Sequence, residues 1–339
     1  MSRMITLQQM AEALGLNAST VSRALSNHPK IKAATRQLVQ AKAAEMGYRP
    51  DPALRRLADR RWASRLPAKR TASLAVVQWA QPDYGLAEFK KPIEIMIRSL
   101  GYGCEQFFVS DYPDVESAAR IMEARGVVGL IVLPSKDPDA WQNFLWEQFA
   151  AVQVMSGEEL PTGLSMVNYD SFGTVLDAGL RVERARPASA AVCLLRQPRE
   201  SATDLQDHAA ALVVTEWWKR AGIACKAPQF FTVGPNSLRG MAQWLAKERV
   251  EAAIVPNPGV GVWRSDSGRR ILPEEIRIIA LNRQRQTAFA GYERQLNHIA
   301  RRAVQYLDSL IRHDERGRPA LPELISIPSL WVPGASFPE

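Results

Sequence analysis

The sequence predicts two folds in one chain: a small all-α helix-turn-helix head, then a larger α/β body of two lobes. Three observations predict this. Two short helical stretches between Thr6 and Leu25 are separated by a glycine, and the second has a small, polar and basic outer face. Charge is concentrated at the same end: residues 1–70 hold 14 Lys and Arg against 4 Asp and Glu, a net +10, whereas the rest holds 29 against 31. From Thr71 onward short apolar strands alternate with helical stretches, the pattern of parallel sheets covered on both faces. At 339 residues the chain exceeds one ordinary domain.

In the head, Thr6 followed by Gln9 is a capping-box pattern that starts a helix near Leu7. Leu7, Met10, Ala11 and Leu14 recur at helical spacing and form one apolar stripe. Gly15 ends that helix in a left-handed turn, Leu16 packs in the angle, and Asn17 caps a second helix. Val21, Ala24 and Leu25 face inward, which leaves Ala18, Ser19, Ser22 and Arg23 outside and Thr20 at the boundary. A third helix runs from about Ala33 to Met46, with Leu38, Ala41, Lys42 and Glu45 at helical spacing, and stops at Gly47.

This is the shape and chemistry that enters a DNA major groove. A guanidinium bonds guanine O6 and N7 together, so Arg23 is the candidate base reader, a phosphate clamp being its alternative. Thr6, Gln8, Ser19, Thr20, Ser22, His28 and Tyr48 are candidates for phosphates or single base edges; ordinary surface or packing roles are the alternatives. Excess positive charge confined to the head is the footprint of a surface that meets phosphates.

Several function classes are disfavoured. Cys104, Cys193 and Cys225 lie far apart, and read as thiols in a reducing cytosol rather than disulfides or metal ligands. The start has no apolar signal core, and no apolar run approaches the ~18 residues of a membrane span. His28, His208, His298 and His313 lack ligand-like spacing. No nucleophile elbow, zinc-protease motif or phosphate loop is present. No catalytic, metal or cofactor site is expected, and the chain is expected in the cytoplasm on nucleoid DNA.

In the body, strands are expected at Leu74–Gln78, Cys104–Phe108, Val128–Leu133, Val152–Met155, Ala191–Leu195, Ala252–Val255 and Arg277–Leu281. Helices are expected at Pro92–Leu100, Val115–Arg125, Leu205–Ala221, Leu238–Glu248 and His298–Ile311. Ligands bind such sheets at the carboxyl ends of strands. Trp79, Asn257 and Trp263 are candidates by position, and Trp79 suits the apolar face of a sugar ring; interlobe packing is the alternative for Trp79, and packing or loop roles for Asn257 and Trp263. Trp217 and Trp218 read as helix core and interface.

The stretch Thr6–Leu25, with Thr20-Val21-Ser22-Arg23 and the ending Gly47-Tyr48-Arg49-Pro50, resembles the head of the LacI/GalR family of bacterial transcription regulators. Arg125–Leu133, Leu272–Asn282 and Pro322–Ser336 resemble stretches of its sensor, a two-lobed fold like the type-1 periplasmic sugar-binding proteins. The resemblance implies a head over 1–50, a hinge helix over 51–62, a linker over 63–70, and an effector-binding and dimerisation domain over 71–339. It implies that Leu57 wedges into the minor groove, a step that bends DNA, with Arg55 and Arg56 on flanking phosphates. Pro52 and Leu54 depart from the usual hinge sequence. In the sensor, Asn282 stands where many relatives carry an aspartate, and Ala210 where an arginine is usual, so the resemblance makes Asn282 and the nearby Arg199 and Asp204 candidates for holding the effector.

The expected function is a homodimeric, sequence-specific regulator, a repressor, on palindromic double-stranded DNA, modulated by a small-molecule effector, a sugar. The alternative is a ligand-independent DNA-binding or architectural regulator whose cleft has degenerated.

Overall fold

The computed structural model describes residues 7–25, 31–46, 48, 72–79, 87–134, 141–155, 162–197, 201–234, 236–256, 276–283 and 289–338. The chain divides into two units, residues 1–71 and 72–339.

The first unit holds α1 (Leu7–Leu14), α2 (Ala18–Leu25) and α3 (Ala33–Met46). Gly15 has φ of 62°. The left-handed turn there lets Leu16 N–H bond Ala11 O at 2.9 Å, and Asn17 O then accepts from Thr20 and Val21 at the start of α2. Met10, Ala11, Val21, Ala24, Val39 and Ala43 form the core, with Leu7, Leu14, Leu16, Leu25 and Tyr48 packed around it. On α3 the buried stripe is Val39 and Ala43; Leu38 is 56% exposed and Ala41 is also exposed. The expected spacing through Leu38 and Ala41 therefore follows the solvent side, because alanine gives little signal on either face. Ala18, expected outside, is half-buried and packs on the head core.

The second unit begins with β1 (Ser73–Gln78), α4 (Ala87–Ser99), β2 (Gly103–Phe108), α5 (Val115–Ala124), β3 (Val127–Val132), β4 (Ala150–Val154) and β5 (Met166–Tyr169). Next come α6 (Ser171–Arg184), β6 (Ser189–Arg196), α7 (Ala202–Arg220), β7 (Ala224–Cys225), β8 (Gln229–Thr232), α8 (Ser237–Glu248) and β9 (Ala252–Val255). It closes with β10 (Arg277–Ala280), β11 (Ala290–Glu293), α9 (Leu296–Arg312), β12 (Leu324–Ile327) and β13 (Leu330–Val332). Pro92, expected to open a helix, lies inside α4. The apolar stripe Phe89, Ile93 and Ile97, buried at i, i+4 and i+8, sustains that helix across the proline's missing N–H.

The strands form two sheets. The first, in the order β12-β5-β4-β3-β1-β2, is parallel throughout. The second runs β13-β11-β10-β9-β6-β7, with β8 also beside β6, and only β13 is antiparallel to its neighbour. Residues of β1 alternate between two cores. Leu74 and Val76 meet Phe89, Ile93, Ala303 and Leu307, while Ala75 and Val77 meet Phe107, Met122, Trp146 and Phe149. A strand buried on both faces reads as an unbroken apolar run, which is why β1 is visible in the sequence.

The two sheets define two lobes, and the chain passes between them three times. β5 belongs to the first sheet, whereas the next helix, α6, packs through Val175, Ala178 and Val182 into the second lobe's core. β11 belongs to the second sheet, whereas α9 packs through Ile299, Ala303 and Leu307 into the first lobe. β12 and β13 lie on different sheets. The crossings therefore fall at Asp170, at Arg294 and Gln295, and at Pro328 and Ser329. No helix among the described residues is long and apolar enough to cross a membrane.

Candidate nucleic-acid interface and interlobe seam

In the head, α2 puts Val21 and Ala24 into the core, and the opposite side carries Ser19, Ser22 and Arg23, all exposed. Thr20 is half-buried at the edge of that face, as its spacing predicts. Arg23 lies in the last turn of α2, where a cation is favoured by the helix dipole. Gln8 is exposed on α1. Tyr48 is half-buried: its ring packs on the head core and its N–H bonds Ala43 O at 2.9 Å. The face thus combines hydroxyl groups with one guanidinium, which suits phosphate oxygens and base edges. Thr6, His28, Arg55, Arg56 and Leu57, with the expected hinge helix and linker, lie outside the described residues.

In the body, Arg199, Asn257 and Trp263 also lie outside the described residues. Trp79 follows the carboxyl end of β1, half-buried, and its ring meets Trp141 edge-on at 6.4 Å. It packs against the first lobe's own core. Asp204 completes a capping box with Ser201, the N-cap of α7, its Oδ2 accepting from both the N–H and the hydroxyl of Ser201 at 2.8 Å. Asn282 sits half-buried in the turn after β10, its N–H on Pro256 O at 2.8 Å. Its neighbour Arg283 is committed to Glu293 at 2.6 Å. Ala210 is fully buried in the second lobe's core, so a side chain as long as arginine has no room there. Trp218 is buried and donates to Gly179 O at 2.9 Å, while Trp217 is half-buried. All three cysteines are free; burial pushes the Cys193 thiol up to about 12.

A polar cluster that sequence reasoning missed occupies the seam. Arg294, on the second crossing, donates to Tyr169 OH at 2.8 Å and lies over that ring at 4.0 Å. Asn168 Nδ2 reaches Thr203 Oγ1 across the lobes at 3.4 Å. Ser171 donates to Asp207 Oδ1 at 2.6 Å. Asp170 N–H bonds Ile327 O at 2.8 Å, and the Thr174 hydroxyl meets Ser329 Oγ at 3.1 Å, tying the first crossing to the third. Burial is the largest influence on Asp207 and pushes its carboxyl up to about 6; Asp204 adds to the rise, while the Ser171 hydroxyl and the Arg294 charge oppose it. Burial also raises the Tyr169 hydroxyl. The signal for this cluster was present but short: β5 is only Met-Val-Asn-Tyr, and Asp170 accepts from Gly173 N–H as an N-cap.

Residues 6–51 match the family model described as bacterial regulatory proteins, lacI family. Over 173 residues the chain is 26% identical to the HTH-type transcriptional regulator RafR of Escherichia coli, which is 49% of this chain and 47% of RafR. The match thus spans about half the length of that relative. The fold resembles the lac repressor dimer bound to operator and the anti-inducer ONPF, at 20% identity over 98% of this chain and 99% of that one, with a TM-score of 0.56. It resembles the transcriptional regulator CelR in complex with cellobiose at 16% identity over the same 98% and 99%, with a TM-score of 0.57. At these identities the likeness is one of fold: a helix-turn-helix head with a two-lobed α/β body of the periplasmic-binding-protein type.

Proposed function

We propose that this chain, whose head belongs to the lacI family of bacterial regulatory proteins, is a homodimeric transcriptional repressor. It grips a dyad-symmetric DNA operator in the cytoplasm, and a sugar held between its lobes changes that grip. The observation that carries this reading is α2: two residues locked in the head core, with Ser19, Ser22 and Arg23 on the far side. The +10 charge of residues 1–70 supports it. So does RafR, a transcriptional regulator and not an enzyme by its name.

A helix-turn-helix head pairs with a palindrome when the protein is a dimer, as the lac repressor is in its operator complex. In the dimer proposed for this chain, Leu57 of each subunit would enter the minor groove, Arg55 and Arg56 would hold the flanking phosphates, and Thr6, Gln8, Thr20, His28 and Tyr48 would complete the backbone contacts. The sugar class is supported by the cellobiose complex of CelR. On this chain Trp79, Arg199, Asp204, Asn257, Trp263 and Asn282 are the residues proposed to meet the sugar. A sugar that weakens operator binding must itself bind the operator complex more weakly, by the same factor.

Selection of bound sequences from a random DNA pool, with and without candidate sugars, tests the reading. An imperfect palindrome is expected to be enriched, and one sugar to change its enrichment. Recovery of no preferred sequence would overturn it. A second reading, a regulator without an effector, is favoured by Ala210, whose burial leaves no place for a cleft arginine at that position. Thermal-shift screening separates the two: a palindrome without any stabilising sugar supports the second.

A further inference from the structure

We propose that Tyr169 and Arg294 form a clasp that holds the second crossing to the first and so resists any change in the angle between the lobes. The regulatory meaning of the clasp, that a sugar altering this angle must work against it, rests on the proposed function. The clasp itself does not.

Tyr169 ends β5, in the first sheet, just before the chain crosses. Arg294 follows β11, where the chain leaves the second sheet for α9 on the first lobe. Although 125 residues apart in sequence, the two side chains make two different contacts. The guanidinium donates to the hydroxyl at 2.8 Å and lies 4.0 Å from the ring centroid. A lone hydrogen bond lets its partners swivel. A planar cation that is stacked on a ring, and also bonded to that ring's hydroxyl, loses one contact when it swivels or slides. Rotation of one crossing against the other therefore breaks part of the clasp.

The neighbours of Tyr169 extend the clasp to the rest of the seam. Asn168 reaches Thr203, at the start of α7 in the second lobe, at 3.4 Å. Asp170 N–H bonds Ile327 O at 2.8 Å, which ties the first crossing to the third. Arg294 adds the second crossing, while Gln295 beside it bonds Glu293 O at 3.2 Å, within the same segment. The three crossings are thus held as one block, whereas hinge motion needs connecting segments to absorb changes of φ and ψ. Plain packing does not account for an arginine at this place. Its Nε is buried and bonds nothing among the described residues, a cost that an apolar side chain of similar length avoids. What a guanidinium supplies here is the flat stack with a bond at its edge.

Hydrogen–deuterium exchange of the full chain, corrected for intrinsic rates, checks the clasp without DNA or sugar. In Arg294→Met, amides in 166–171 and 290–298 are expected to exchange at least threefold faster than in the wild type, the first stretch carrying no substitution. Amides inside β3 and β9 are expected to keep their protection. Tyr169→Phe, which keeps the ring and loses the hydroxyl, is expected to fall between the wild type and Arg294→Met. Arg294→Lys keeps the charge but not the plane, and is expected to behave as Arg294→Met; it serves alone if Arg294→Met does not fold. Wild-type protection of 166–171 in Arg294→Met would overturn the proposal. So would a uniform rise over both sheets, which would make the pair a general stabiliser. Full protection in Arg294→Lys would also overturn it, because charge alone would then suffice. A failed DNA selection would leave these outcomes unchanged, so the clasp and the proposed function fail separately.

Discussion

Single residues carry most of the chemistry in both units, and two of them allow quantitative tests. Arg23 is the one guanidinium on the exposed face of α2, flanked by hydroxyl groups whose reach is short. Arg23→Ala is expected to cost about 1–3 kcal/mol of discrimination at one base position, the range of a bidentate base contact. Repeating the DNA selection with the variant checks this: a uniform loss over all sequences would make Arg23 a phosphate clamp. Asp207 offers a pH test. Its folded carboxyl, pushed up to about 6 from 3.8, binds its proton more tightly than in the unfolded chain. The folded state therefore holds the extra proton between about pH 4 and pH 6, and this group's contribution to stability falls as pH rises through that window. A rise of ~2 units corresponds to roughly 3 kcal/mol at most. Relative to wild type, Asp207→Asn is expected to gain stability from pH 4 to pH 7 in urea titrations followed by tryptophan fluorescence. A difference that does not change with pH would remove the raised carboxyl.

At the scale of elements, the pairing of α6 with α7 decides how the second lobe is built. Gly179 on α6 faces Val214 of α7, and a Cβ there would come within 2.4 Å of the valine. Trp218 of α7 uses the same close approach to donate to Gly179 O. Gly179→Ala is expected to destabilise the body by about 1–3 kcal/mol through overpacking, despite alanine's better helix propensity. Pairing it with Val214→Ala is expected to recover part of the loss in a double-mutant cycle. The same pair shows where sequence legibility ends. α7 is visible from its length and its two tryptophans, but α6 is not, because Phe172, Gly173 and the polar residues between its buried positions break the apolar stripe. Strands buried on both faces, such as β1 and β3, read directly; β5 and the edge strands β12 and β13 do not, being four residues or fewer, and β12 and β13 also have exposed positions. In the head, Gly15 and the inward pair Val21 and Ala24 were legible because turn and spacing agree. The buried side of α3 was not, since alanines populate both sides of it. The seam was the least legible part, because its partners come from crossings far apart in sequence, and only the topology brings Arg294 to Tyr169.

For the whole molecule the ruling quantity is charge asymmetry: +10 on residues 1–70, and 29 basic against 31 acidic residues on the rest. A nearly neutral body adds little long-range attraction to phosphates, so association with DNA is governed by the head and the segment after it. Many surface charges of the body are also matched locally, as in the i,i+4 pairs Glu94–Arg98, Glu116–Arg120 and Glu216–Arg220, each with both partners exposed. Exposed pairs of this kind contribute little to stability, but they leave the body without a field that competes with the head. The salt dependence of DNA affinity then reports the head's contacts alone. With ~6–10 phosphates neutralised per dimer, affinity is expected to fall by roughly 10³–10⁵ between 50 and 200 mM salt. A chain truncated after residue 70 lacks the body-mediated pairing of heads expected in the dimer. If each head binds independently, its slope of log affinity against log salt is expected to be about half that of the full chain, because counterions are released in proportion to the phosphates one head covers. Equilibrium binding to a selected palindrome and to a half-site, across that salt range, measures both slopes. Equal slopes for the two proteins would mean that one head alone makes all the phosphate contacts, and a flat response in both would remove phosphate neutralisation as the source of binding.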